Sequence, residues 1–254
     1  AIMASRGFLG AGDLYARVYS PTLGAFEQWT GPFESSKFEI KPNSDLKEMV
    51  SRGRSTYGQV IESVPLPKPA DLSVTFSEVN KESIAMALFG TAAVLNQGSG
   101  TVVDEVVVAA HGKWVKLVRG NIATAGFTVS HTSGTPNYVL GTDYEVNYRI
   151  GMLRILSTGA IADGASLQVD YTYNAISGTT VSGGTQTQVR AQFKLDGVNF
   201  ADQLPVVVDV WEAVLTPDSA FDFLQNDFAE VALKGRLKTP AGKSEPFTVE
   251  LRSA

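Results

Sequence analysis

Apolar and polar residues alternate along much of this chain, and that two-residue period constrains the fold more than any other feature. Successive side chains of a strand point to opposite faces, so such a repeat marks a strand with one buried face. Leu14, Ala16 and Val18 alternate with Tyr15, Arg17 and Tyr19, and Leu72, Val74 and Phe76 with Ser73, Thr75 and Ser77. Val189, Ala191, Phe193 and Leu195 alternate with Arg190, Gln192 and Lys194. The same pattern returns at Ala229–Lys234 and Phe247–Arg252. It predicts an all-β protein of antiparallel sheets, a β-sandwich or barrel.

One segment changes period. Asn80 is a fitting N-cap, Lys81–Phe89 the body and Gly90 the stop. Ile84 with Leu88, and Ala85 with Phe89, lie four residues apart and form one apolar stripe. The expectation is a single short flanking α-helix that packs on the sheet through Ile84, Leu88 and Phe89 and plugs an open edge or end.

Two stretches interrupt the alternation. Lys41–Pro69 is long and polar, and ends in Pro65, Pro67 and Pro69, so it reads as an extended loop. The second is bounded by Asn96–Gly100 and Ser177–Gly184, both of linker composition. Between them lies a separate strand pattern at Val102–Ala109, Trp114–Val118, Tyr144–Tyr148, Met152–Leu156 and Leu167–Tyr173, with turns at Gly151 and Asp163-Gly164. This predicts a discontinuous parent β domain, residues 1–98 and 180–254, carrying an inserted small β-sandwich-like domain at residues 99–179.

Charge and composition exclude several function classes. Among 254 residues there is no cysteine, which removes disulfides, thiolate metal sites and a cysteine nucleophile. Net charge is −5, opposite to what phosphate-gripping proteins display. The apolar runs fall far short of the roughly 18 residues a membrane helix needs, and no membrane association is expected. The N-terminal segment lacks the apolar core of a secretory signal. Charge is also uneven: Lys41, Lys47, Arg52 and Arg54 outweigh Asp45 and Glu48, whereas Asp196–Glu230 holds eight acids and no base.

Catalytic motifs are weak. His111 and His131 have no metal-site spacing. Gly242-Lys243-Ser244 lacks the first glycine of a phosphate loop, which would fall at Leu237, and reads as a hairpin turn after Pro240. Gly7, Gly10 and Gly12 read as a flexing N-terminal arm. Asp222 and Asp227 could pair as glycosidase carboxylates, but nothing fixes their separation. Trp29, Trp114 and Trp211 are scattered and read as core or interface anchors. The expectation is a non-enzyme without cofactor or metal.

Three passages, in order, resemble the major tail-tube proteins of long-tailed, siphovirus-type bacteriophages. They are Ser51–Val60 running through Val64–Pro69 into the strand Leu72–Phe76, the helix that follows, and Val206–Leu215 with Phe228–Gly235. Gly141–Tyr144 through Asp163-Gly164 to Tyr171 resembles an accessory β module of some phage tail proteins. The resemblance implies subunits that form hexameric rings stacked into a tube, with the insert outside. It also implies a long loop, Asn43–Leu66, that reaches the adjacent ring, which places Lys47, Arg52, Arg54, Tyr57 and Gln59 at an inter-ring contact. Implied partners are further copies of the chain, a tape-measure protein, a tail terminator and a distal tail protein, with DNA passing the lumen without specific binding. The implied location is the virion, after assembly in the host cytoplasm.

The acids Asp196, Asp202, Asp209, Glu212, Asp222 and Asp227 then either line the lumen or meet the basic loop. A surface-binding module, an adhesin or carbohydrate-binding protein, is the competing reading, and a contractile-system tube a nearer variant.

Overall fold

The computed structural model describes residues 8–252. In chain order the first elements are β1 (Gly10–Ser20), β2 (Ala25–Phe26), β3 (Thr30–Phe33), β4 (Ser35–Val50), β5 (Val60–Phe76) and α1 (Lys81–Ala87). Next come β6 (Thr91–Gln97), β7 (Gly100–Val108), β8 (Trp114–Lys116), β9 (Thr128–His131), β10 (Tyr144–Asn147), β11 (Met152–Ile155), β12 (Ser166–Tyr173) and β13 (Ile176–Ser182). The last four are β14 (Val189–Asn199), β15 (Leu204–Pro217), β16 (Val231–Leu237) and β17 (Phe247–Leu251). The fold is all-β with one short helix. No helix of the described residues is long and apolar enough to cross a membrane.

The chain divides into two units, Ala1–Ala92 with Val181–Ala254, and Ala93–Thr180. The boundaries fall at 92/93 and 180/181, against 98/99 and 179/180 from the sequence. The two crossings are not loose linkers as their composition suggested, because β6 and β13 pair as a two-stranded sheet.

The first unit is built on one nine-stranded antiparallel sheet. Its order is β2-β1-β14-β15-β16-β5-β4, with β3 also on β1 and β17 on β15. The path runs from one edge to the other without closing, so the barrel alternative does not hold. The alternating residues face one core: Leu14 and Ala16, Leu72, Val74 and Phe76, Ala191 and Phe193, Val208 and Val210, Val231 and Leu233 are all buried. Burying a side chain of this size contributes roughly 1.5–3 kcal/mol, which is what holds strands from both ends of the sequence together.

β15 is the hub, with β14 along one side and two strands end to end on the other. β17 pairs with Val206–Val210 and β16 with Ala213–Pro217. The segment after Pro240 turns at Gly242, but it does not make the expected hairpin, since the strands it joins both lie along β15. The gap between them faces a β-bulge in which Trp211 and Glu212 oppose the single Gln192.

The helix is shorter than expected. Asn80 Oδ1 accepts from Ser83 N and Ser83 Oγ accepts from Asn80 N, both at 2.9 Å, closing a capping box. The helix ends at Ala87, and Phe89, not Gly90, takes the left-handed conformation (φ 49°). Gly90 is needed for proximity instead: a Cβ there would lie 2.7 Å from Ser182 O. The apolar contacts shift accordingly. Met86 is buried, with Ala87 and Phe89 packed beside it, while Ile84 and Leu88 stay half-buried.

Gly10 and Gly12 are likewise strand residues rather than a flexing arm. Gly12 pairs with Gly197, and a Cβ on it would approach Gly197 Cα to 2.5 Å. Gly7 lies outside the described residues.

The second unit stacks two three-stranded sheets, β10-β11-β8 and β7-β12-β9, around Val129, Leu153, Ile155, Leu167, Val169 and Tyr171. Two of its polar groups act as internal ties. Asp143 accepts from Val139 N and Ala160 N at 2.7 Å each, and these bonds hold its carboxyl below the usual range. Buried Tyr171 donates to Glu105 Oε2 at 2.5 Å, and burial first, then that carboxylate, pushes its phenol far upward.

Candidate assembly surfaces

The stretch Lys41–Pro69 is not a loop. β4 and β5 continue past the sheet as a paired ribbon, Asn43↔Lys68 to Val50↔Val60. At about 3.4 Å per residue it extends about 30 Å beyond the last pairing of β5 with β16, at Asp71↔Arg236. Its residues are exposed on both faces, save half-buried Asn43 and Asp45. With no face covered there is no reason for alternation, which is why the sequence looked irregular. A ribbon of two strands is marginal by itself in water. Yet this one exposes Leu46, Met49, Val50, Val60, Ile61, Val64 and Leu66.

Pro65 and Pro67 face Leu46 and Ser44. Neither carries an N–H, so the ladder to β4 runs through the residues between them and the outer edge of β5 lacks donors there. The opposite edge, along β4, ends the sheet and has no neighbouring strand among the described residues.

The tip is ordered by its own bonds. Ser51 N donates to Gln59 O at 2.8 Å, Gly58 N to Ser51 O at 3.0 Å, and the Ser51 and Thr56 hydroxyls lie 2.6 Å apart. Arg52, Arg54 and Tyr57 all point into solvent, Tyr57 at 78% exposure. Lower on the ribbon the charges pair internally, Asp45 with Lys47 at 3.5 Å and Lys68 at 3.4 Å. Thus the structure brings Lys47, Arg52, Arg54, Tyr57 and Gln59 onto one projecting arm.

The six singled-out acids do not form one group. Glu212, 3% exposed, meets Arg190 at 2.9 Å and Lys238 at 3.3 Å. Asp209 meets Lys194 at 3.0 Å. Asp196 is exposed opposite Asp13, and Asp202 Oδ1 accepts from Leu204 N. Asp222 and Asp227 belong to the loop between β15 and β16, exposed with Asp218 and Glu230. That loop holds what the sequence reading missed: Phe223, Leu224 and Phe228, 70%, 91% and 98% exposed. Three such side chains in water beside four acids were visible as a run without period, but no pattern distinguished them from a core segment.

Around Arg190 the outer sheet face is tightly knit. Its guanidinium lies 4.1 Å from the Tyr19 ring, and Arg17 lies 4.9 Å from the ring of Trp29. Lys243 Nζ sits 3.4 Å over Trp211. His111 Nε2 lies 2.7 Å from Ile161 O, and His131 Nδ1 lies 3.0 Å from Ser133 Oγ. Among the described residues no three His, Asp or Glu side chains are placed to hold a metal.

Fold and surface define an all-β protein of two units whose larger sheet extends into an uncovered ribbon. Residues 7–245 match the family described as protein of unknown function UCP028589, and the chain belongs to that family. No curated protein matches its sequence.

Proposed function

We propose that this chain is a structural, self-assembling subunit without catalysis, the tail-tube protein of a long-tailed bacteriophage. It polymerises as stacked hexameric rings into a conduit for DNA ejection, and its place is the virion tail. The observation that carries the reading is the arm of β4 and β5. A solvated monomer gains nothing from displaying Leu46, Met49, Val50, Val60, Ile61, Val64 and Leu66 on an uncovered ribbon, whereas a polymer covers them with the next copy. The unpaired edge of β4 supports it as a strand-pairing surface.

The charge arrangement on the sheet fits a DNA conduit as well. Arg190 and Lys194 are answered by Glu212 and Asp209. Bases held this way do not present a continuous positive track, so phosphate would pass without being gripped. Tape-measure, terminator and distal tail proteins are the partners this role requires.

The test replaces Arg52 and Arg54 together with Glu. Both are exposed tip residues, so the subunit keeps its fold by circular dichroism, and tube growth stops in electron micrographs. Tubes of normal length from that variant would overturn the assignment. Soluble monomers at high concentration that bind glycans would favour the surface-binding alternative.

A further inference from the structure

We propose that the arm of one copy docks on the loop between β15 and β16 of a second copy, so that subunits join head to tail; this rests on the assembly reading above. The register of the sheet places the two elements at opposite ends. β5 pairs with β16 from Phe76↔Val231 to Asp71↔Arg236. The arm leaves beyond Asp71, and the loop of residues 218–230 enters β16 at Val231, beside Phe76. About five residues of strand, roughly 17 Å, separate the two exits, and the arm points away from the loop. A chain therefore cannot satisfy its own arm with its own loop. A second copy displaced along the strand direction can.

The surfaces match in chemistry. The tip presents Arg52 and Arg54, which have no ion pair among the described residues, with Tyr57 and the apolar ribbon behind them. The loop presents Asp218, Asp222, Asp227 and Glu230 with no base between them. Its apolar residues Phe223, Leu224 and Phe228 are among the most exposed in the chain. The loop is anchored rather than slack: Phe221 packs against the core, Phe223 meets it edge-on at 4.8 Å, and Asp218 N donates to Ala232 O. An aromatic cluster ringed by acids suits a basic tip with exposed apolar side chains behind it. Because donor and receptor surfaces differ, the contact is heterologous and leaves both ends of every complex open for growth.

A charge swap separates this pairing from other ways of assembling. One variant carries Arg52→Glu with Arg54→Glu, the other Asp227→Lys with Glu230→Lys; no side-chain bond of the described residues is lost in either. Each alone sets like charges against each other and raises the concentration needed for assembly at least about tenfold, the factor 1.4 kcal/mol represents. Mixed in equal amounts the two complement each other, and filaments return in negative-stain micrographs. If the loop variant assembles like the wild type, or if both fail alone and the mixture stays unassembled, the arm docks elsewhere and the pairing is wrong. Should the loop variant not fold, Phe228→Ser replaces it, with the same tenfold effect expected. Wild-type protein that never assembles would sink the assembly reading itself, a different result from either.

Discussion

Arg190 and Glu212 face each other across neighbouring strands at 2.9 Å, with the carboxylate almost wholly buried. Arg190 Nε adds a second bond at 3.0 Å and Lys238 a third contact at 3.3 Å. The bulge that inserts Glu212 opposite Gln192 turns the carboxylate outward from the core and under these two bases. Removing it strands a guanidinium that is itself mostly covered. Glu212→Ala is expected to cost about 2–3 kcal/mol in denaturant unfolding, at an unchanged slope. A loss below about 0.5 kcal/mol, usual for surface pairs, would mean the cluster is merely decorative.

Gly235 marks the tightest point of the sheet. It lies between Leu215 on β15 and Leu72 on β5, and a Cβ there would sit 1.9 Å from Val214 O. Backbone is the obstacle, so no side-chain rotation relieves it. Gly235→Ala is expected to destabilise the first unit by about 3 kcal/mol or more, measured by thermal unfolding, while the second unit's transition stays in place.

Tyr171 gives the second unit a pH signature. Burial and Glu105 raise its phenol above the ordinary value, so the folded state favours the neutral form. That stabilisation is fully present below about pH 10, where an unfolded tyrosine begins to ionise, and is lost as pH rises through the higher folded value. Unfolding of the wild type should therefore ease steeply above about pH 10. Tyr171→Phe should flatten that dependence and cost about 1–2 kcal/mol at neutral pH. An equally steep alkaline loss in the variant would place the titrating group elsewhere.

How much of this was legible follows from what period-two patterning reports. It reports a covered face, and so β1, β14, β16 and the core half of β5 stood out, as did most strands of the insert. The arm has no covered face, and Pro65, Pro67 and Pro69 read as breakers, so a ribbon passed for a loop. β6, running into Gly98-Ser99-Gly100, and the Gly- and Ser-bearing β13 stayed hidden for the same reason, being exposed throughout most of their length. The helix stripe was misplaced because Ile84 and Leu88 match the spacing as well as Met86 does; which face turns inward is decided by β15 and β16, against which α1 packs. The basic tip could be read from charge alone. Its proposed counterpart could not, since exposed Phe223, Leu224 and Phe228 look like core residues until the sheet is built.

The central claim is that the working object is a polymer of this chain. Negative-stain electron microscopy of the purified wild-type protein over rising concentration tests it most directly. Annuli and stacked tubes are expected, with the assembled fraction growing with concentration. Particles that remain single subunits at every concentration and ionic strength would contradict it.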